Sequence, residues 1–139
     1  MDRKAGHVDP RLIEAPYAFQ RHLGFTLTGW ERDFARFEQP LVEALGNRHG
    51  ALHGGVYATL LDTAMGFAGC WTGDPARRQM AMTLSMTVNF LAPPQGGTLI
   101  AEGRRTGGGR KTFFTEGAAR DETGLLLATA TGVFRYRGR

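Results

Sequence analysis

Between Met80 and Phe90 the chain alternates without a break. Met80, Met82, Leu84, Met86, Val88 and Phe90 take turns with Ala81, Thr83, Ser85, Thr87 and Asn89. Period two over this stretch predicts a strand. A turn at 93–97 (Pro-Pro-Gln-Gly-Gly) follows, then strands over 98–106, 111–120 and 125–137, with turns at 107–109 and 121–124 between them. Short turns between consecutive strands imply an antiparallel meander. Gly103, Gly117 and Gly132 fall inside three of these strands. Interior strand glycines mark bulges or close approach, and a strongly curved sheet needs both.

The first half reads differently. Residues 10–22 predict a short amphipathic helix with Leu12, Ile13, Ala18, Phe19 and Leu23 on one face, kinked or split by Pro16. Residues 25–37 alternate weakly, as a strand or a hairpin. Residues 39–46 form a breaker-rich connection with room for a helical turn, and 47–52 form a loop. A long helix then runs to about Trp71, before Asp74-Pro75. At 100° per residue, Val56, Tyr57, Leu60, Leu61, Ala64, Met65 and Ala68 share one apolar arc, and Gly55, Thr59, Asp62, Gly66 and Gly69 lie opposite. A surface helix would carry Lys and Glu on that second face. This one carries a single formal charge, Asp62. A sheet wrapped around the helix accounts for the missing wet face, and the predicted class is α+β.

Composition narrows the picture. A chain of 139 residues suits one domain, 1–139, with residues 1–9 flexible. The formal charge of +4 owes much to Arg104, Arg105, Arg110, Lys111, Arg135, Arg137 and Arg139. That excess suits a phosphorylated ligand. No zinc-finger spacing, helix-turn-helix pattern or aromatic-interleaved basic stretch accompanies it, so no nucleic-acid partner is expected. Cys70 is the one cysteine. With no disulfide possible and no apolar run behind the first residues, a reducing, cytoplasmic location is expected. Asp62, the glycines and the threonines argue against a membrane span at 51–71.

The chemistry centres on the helix. A carboxylate among small residues is costly unless something pairs or uses it. The small residues let a backbone or a ligand come close, so Asp62 faces something other than bulk water or its own core. Gly54 and Gly55 offer unshielded N–H groups at a helix N-terminus, suited to polarising a carbonyl and equally suited to helix entry from a tight loop. Gly54 and Asp62 are eight residues apart, about 12 Å along one helix. They cannot both touch one reacting carbon from the same chain. If both act in one site, Asp62 comes from a second subunit, in a two-fold dimer with antiparallel helices packed on their small-residue stripes. His49 and His53 have a metal-compatible spacing but straddle the loop, and no Glu follows His49, so no metal is expected. Cys70 follows no activating motif.

Asn47-Arg48-His49-Gly50-Ala51-Leu52-His53-Gly54-Gly55, with Asp62 and Gly66, resembles the N-x-x-G-x-x-H-G-G-x6-D-x3-G pattern of hotdog-fold acyl-CoA thioesterases of the phenylacetate-pathway, or PaaI-like, group. Residues 86–93 resemble that group's strand ending in F-L-x-P. Residues 101–103 and 128–132 continue the likeness, which spans about 23–136. The resemblance implies a hotdog fold, a curved antiparallel sheet around one long central helix, in homodimers and homotetramers. It implies hydrolysis of acyl-CoA to acid and free CoA, with no cofactor beyond the CoA of the substrate. By that carry-over Asp62 matches the catalytic acid, as nucleophile or general base, and the Gly54 N–H matches the carbonyl donor. His53 and Asn47 match residues that support the loop, and Thr83 matches a hydroxyl beside the nucleophilic water. Gly55, Arg110 and Lys111 are the candidates for holding the CoA portion, the two cations through its phosphates. Two alternatives stand beside hydrolysis. One is a hotdog enoyl-CoA hydratase, against which counts the absence of a His after Asp62. The other is a non-catalytic acyl-CoA-binding protein.

Overall fold

The computed structural model describes residues 7–139. Of the segment expected to be flexible, residues 1–6 lie outside the described residues. The His7 carbonyl accepts from the Trp30 N–H at 3.1 Å. Asp9 caps a 3-10 turn, Pro10–Leu12, by accepting from the Arg11 N–H. Pro16 splits the expected N-terminal helix. Its second piece is α1, Ala18–Leu23, which stops at Gly24 with φ +90. The weakly alternating stretch is a hairpin of β1, Thr26–Glu31, and β2, Phe34–Pro40, with Asp33 at φ +61 in the turn. The breaker-rich connection holds the 3-10 turn Glu43–Leu45.

The long helix α2 is Gly54–Ala68, ending three residues before the expected stop. Its buried residues are Val56, Tyr57, Leu60, Leu61, Ala64, Met65 and Ala68, the predicted apolar arc. Leu60, Leu61 and Met65 are fully enclosed, and each contributes about 1.5–3 kcal/mol by leaving water. The helix stops where the sheet seals it. The Trp30 indole N–H donates to the Phe67 carbonyl at 2.9 Å, and the Tyr136 hydroxyl donates to the Gly69 carbonyl at 2.8 Å. Both carbonyls belong to the terminal set that a helix cannot satisfy internally.

The remaining strands are β3, Ala81–Phe90, β4, Thr98–Gly108, β5, Thr112–Asp121, and β6, Leu126–Tyr136. All pair antiparallel in the order β1-β2-β4-β5-β6-β3. The expected meander holds for β4-β5-β6. It fails for β3, which lies at the far edge beside β6, while β2 takes the free side of β4. The 91–97 connection makes this possible by crossing the ends of β6 and β5. Leu91 and Ala92 donate to the Leu127 carbonyl. The Asp121 carboxylate receives the N–H groups of Gln95 and Gly96, and Glu122 receives those of Gly97 and Thr98. Asp121 is buried, and its hydrogen bonds from the Thr123 hydroxyl and from backbone N–H groups hold its carboxyl far below the usual range.

The glycines inside the strands serve close approach. A Cβ on Gly103 would meet the Ala64 and Met65 backbone at 2.5 Å, so β4 lies directly against α2. The alternation in β3 is interrupted. Thr83 pairs with Phe134 and Ser85 with Val133, leaving Leu84 as a bulge. Ala81 before it and Met86 and Val88 after it pack on the core. Met82 and Leu84, from the predicted apolar face, stay exposed.

Candidate active site

The loop before α2 is built by Asn47. Its Oδ1 accepts from the N–H groups of His49 and Ala51, at 2.9 and 3.1 Å. Its own N–H donates to the Ala51 carbonyl, and Gly50 turns the chain at φ +78. The His53 N–H is tied to the Leu45 carbonyl. Asn47 therefore shapes the loop.

His53 is the N-cap of α2. Its Nδ1 accepts the Gly55 N–H at 2.8 Å, which places the proton of a neutral ring on Nε2. The Gly55 N–H is thereby used. The Gly54 N–H has no acceptor among the described residues and sits at the positive end of the helix. The Phe90 ring lies over Gly54, 3.4 Å from where a Cβ would be, and stacks edge-on against Tyr57.

Asp62 lies two turns further along α2. The Thr83 hydroxyl donates to its Oδ1 at 2.6 Å, joining α2 to the edge strand β3. The neighbouring hydroxyls are turned inward: Thr59 donates to the Gly55 carbonyl and Thr63 to the Thr59 carbonyl. Asp62 is thus the one side chain on this stretch that reaches outward as an acceptor, with Oδ2 open. Asp62 and Thr83 border a cavity of about 270 Å³.

The stripe opposite the apolar arc divides in two. Gly55 is exposed, and Thr59, Asp62, Gly66 and Gly69 are half-buried. The difference lies in what faces them: Gly66 and Gly69 make room for the chain's own rings. A Cβ on Gly66 would touch Phe134 at 3.3 Å, and one on Gly69 would collide with Phe113. The expectation that the whole stripe faces away from its own core holds only for its N-terminal half.

The structure brings Asn47, His53, Gly54 and Gly55 together, and separately Asp62 and Thr83. Arg110 and Lys111 lie elsewhere. They occupy the β4–β5 turn at the C-terminal end of α2, where Tyr136 joins the Lys111 carbonyl to the Gly69 carbonyl. Arg139 stacks on Tyr136 there and reaches the Arg110 carbonyl. Cys70 is buried, and that burial pushes its thiol up to about 12, so it stays protonated and inert. Among the described residues no three His, Cys, Asp or Glu converge as a metal site. Among the described residues no helix is long and apolar enough to cross a membrane. Sequence reasoning did not single out Tyr17, which lines the same cavity as Asp62 and Thr63. Burial, and then the Asp62 charge, raise the Tyr17 phenol above its usual range. No motif marks Tyr17.

A family model described as the thioesterase superfamily matches residues 49–128. The Escherichia coli K12 protein named medium/long-chain acyl-CoA thioesterase YigI is 28% identical over 131 residues, covering 84% of this chain and 83% of that protein. Among solved structures, the conserved protein PA5202 of Pseudomonas aeruginosa matches with a TM-score of 0.78 and 24% identity, over 91% of this chain and 96% of that one. The PaaI protein of the E. coli phenylacetic acid degradation operon matches with a TM-score of 0.75 and 23% identity, over 86% and 84% of the two chains. These two likenesses show a shared fold.

Proposed function

We propose, from the premise that the chain belongs to the thioesterase superfamily, that it hydrolyses acyl-CoA thioesters in a site shared between two copies. One observation carries the reading: an outward carboxylate, Asp62, held by Thr83 on the open half of α2. The name of the E. coli relative YigI supports acyl-CoA as the substrate class.

A thioester carbonyl is weakly resonance-stabilised, so one carboxylate and one N–H donor suffice. The thioester oxygen takes the Gly54 N–H at the helix N-terminus, which stabilises the oxyanion of the tetrahedral intermediate. Asp62 either draws a proton from the water that attacks the carbonyl carbon, or attacks that carbon itself, expelling the CoA thiolate and leaving a mixed anhydride that water then hydrolyses to the acid and the free carboxylate. In the first case, collapse breaks the carbon–sulfur bond and the proton leaves with the CoA sulfur. Single turnover in ¹⁸O-water separates the two, since only attack by Asp62 routes the label through the enzyme carboxylate.

Because α2 is continuous, Gly54 and Asp62 of one chain stay about 12 Å apart. The complete site then takes Asp62 from one copy and Gly54 from its partner. The edge strand supports such a partner. Met82 and Leu84 are exposed on β3, the last strand of the sheet, and Met80 is exposed just before it. An uncovered apolar edge invites another chain. The Thr83–Asp62 bond puts this edge beside the open half of α2, so one antiparallel copy covers both.

Thiol release from an acyl-CoA series tests the activity, and subunit mixing tests the sharing. Asp62→Ala and Gly54→Pro proteins, each inactive alone, regain up to half a site per chain when their subunits exchange. Exchange without any return of activity refutes the shared site. Binding of acyl-CoA without thiol release refutes hydrolysis.

A further inference from the structure

The cavity beside Asp62 is walled along one side by Asp62, Thr63, Gly66, Phe67 and Cys70 of α2 and the residues just after it. These positions share a face running about 12 Å from the carboxylate toward the C-terminal end of the helix. The far wall is built from packed rings. Trp30 packs on Phe67, with ring centres 5.0 Å apart, and is pinned by its hydrogen bond to the Phe67 carbonyl. Buried Cys70 lies beside them, its thiol inert. Ala81 of β3 forms the opposite side. Asp62 and Thr83 lie at one end, Glu14 and Gln79 add polar groups to the wall, and Trp30, Phe67, Met80, Ala81 and Phe134 make the rest of the chamber's lining mostly apolar.

The outer wall comes from the N-terminal segment. Tyr17 lines the cavity together with Thr63 and packs edge-on against Phe25, and Glu14 pairs with Arg78 at 2.7 Å. Beyond these residues a second groove opens, of about 560 Å³, sharing Glu14, Tyr17, Trp30, Cys70, Gln79 and Met80 with the chamber. Tyr17 and the Glu14–Arg78 pair therefore stand as a partition between the two spaces.

Resting on the thioesterase reading, we infer that this chamber receives the acyl group and that Tyr17 sets its length. At ~30 Å³ per small-molecule centre, 270 Å³ holds about nine non-hydrogen atoms. The substrate class is a medium acyl group of about eight carbons. The chain runs from the thioester carbon at Asp62 along α2 to Trp30, and a longer chain has to displace Tyr17 to reach the outer groove. Tyr17 acts as a specificity-determining residue with no part in the bond-breaking step.

The test measures kcat/KM against acyl length, from two to sixteen carbons, for the wild type and two variants. In parallel, the Asp62→Asn protein is titrated calorimetrically with the same acyl-CoAs. The wild type is expected to peak near eight carbons. Tyr17→Ala, on an exposed segment, moves the peak toward longer chains by opening the partition. Ala81→Leu, which adds about three non-hydrogen atoms to the chamber, moves it toward shorter ones. Calorimetric affinity follows the same order. Hydrolysis with a flat profile, or with one peak common to all three proteins, overturns the inference and leaves the hydrolysis reading standing. Length-dependent binding without thiol release keeps the chamber and overturns hydrolysis. Neither binding nor release overturns both.

Discussion

The two halves of α2 are made of similar small residues and are used in opposite ways. At the C-terminal half the chain's own sheet closes on the glycines and the last carbonyls. Phe113 occupies the space at Gly69, Phe134 leans on Gly66, and Trp30 and Tyr136 satisfy the last carbonyls. At the N-terminal half nothing from the same chain reaches the Gly54 N–H, and Asp62 points outward. Small residues therefore have no single meaning along a helix. Where a ring fills the space a side chain would take, as Phe113 does at Gly69, they make a seal. Where a polar group is left without a partner among the described residues, as at the Gly54 N–H, they leave a surface for a substrate or a second copy.

If that contrast is functional, changes in the open half abolish turnover and spare the fold. Asp62→Asn keeps the shape and the hydrogen bond from Thr83 while removing the base. It lowers kcat by roughly 10³-fold in the thiol-release assay, with the melting temperature near wild type. Gly54→Pro comes next. Proline suits the first helical position, and His53 at ψ 133 already has the extended conformation that must precede it. The substitution removes the N–H alone, and kcat falls by about 10²–10³-fold. Gly54→Ala is its control. A methyl 3.4 Å from Phe90 is in ordinary contact, and the N–H survives, so activity stays close to wild type. Equal losses in Ala and Pro variants trace the effect to crowding and refute the donor role.

The sealed half gives the reverse pattern. Gly69→Ala drives a methyl into the Phe113 ring and costs about 1–3 kcal/mol of stability. Activity per folded molecule stays intact, because neither Asp62 nor Gly54 moves. Urea unfolding followed by an assay below the midpoint separates the two effects. A variant that is stable but inactive contradicts the division of the helix.

The sequence carried much of this and missed the rest for identifiable reasons. The buried arc of α2 was legible because it depends only on helical period and side-chain polarity. So was the Asp62–Thr83 neighbourhood, through the likeness to the PaaI-like pattern. The split stripe was not legible, since whether Gly69 faces a partner or Phe113 depends on a strand 44 residues away in the chain. The place of β3 was hidden for the same kind of reason. A glycine- and proline-rich turn looks like a hairpin, and only Asp121 and Glu122, reaching across from the β5–β6 turn, reveal a crossing connection. Arg110 and Lys111 were legible as a basic turn. Which end of the helix that turn serves follows from pairing, which composition does not encode.

The smallest effect belongs to Thr83, where the open half of α2 meets the edge strand. Its hydroxyl orients Asp62 by holding Oδ1, and the other oxygen stays free for chemistry. Thr83→Val keeps the branched shape that suits a strand and deletes only the donor. The carboxylate then samples other rotamers and attains the productive one less often. A single lost hydrogen bond of this kind is worth about 0.5–1.5 kcal/mol, so kcat falls about three- to tenfold. KM stays near its wild-type value, because Thr83 borders the carboxylate end of the cavity rather than the acyl wall. Thr83→Ser restores the donor and the rate. A serine variant as slow as the valine variant assigns the loss to packing at the Leu84 bulge next door, and the orienting role of the hydroxyl falls with it.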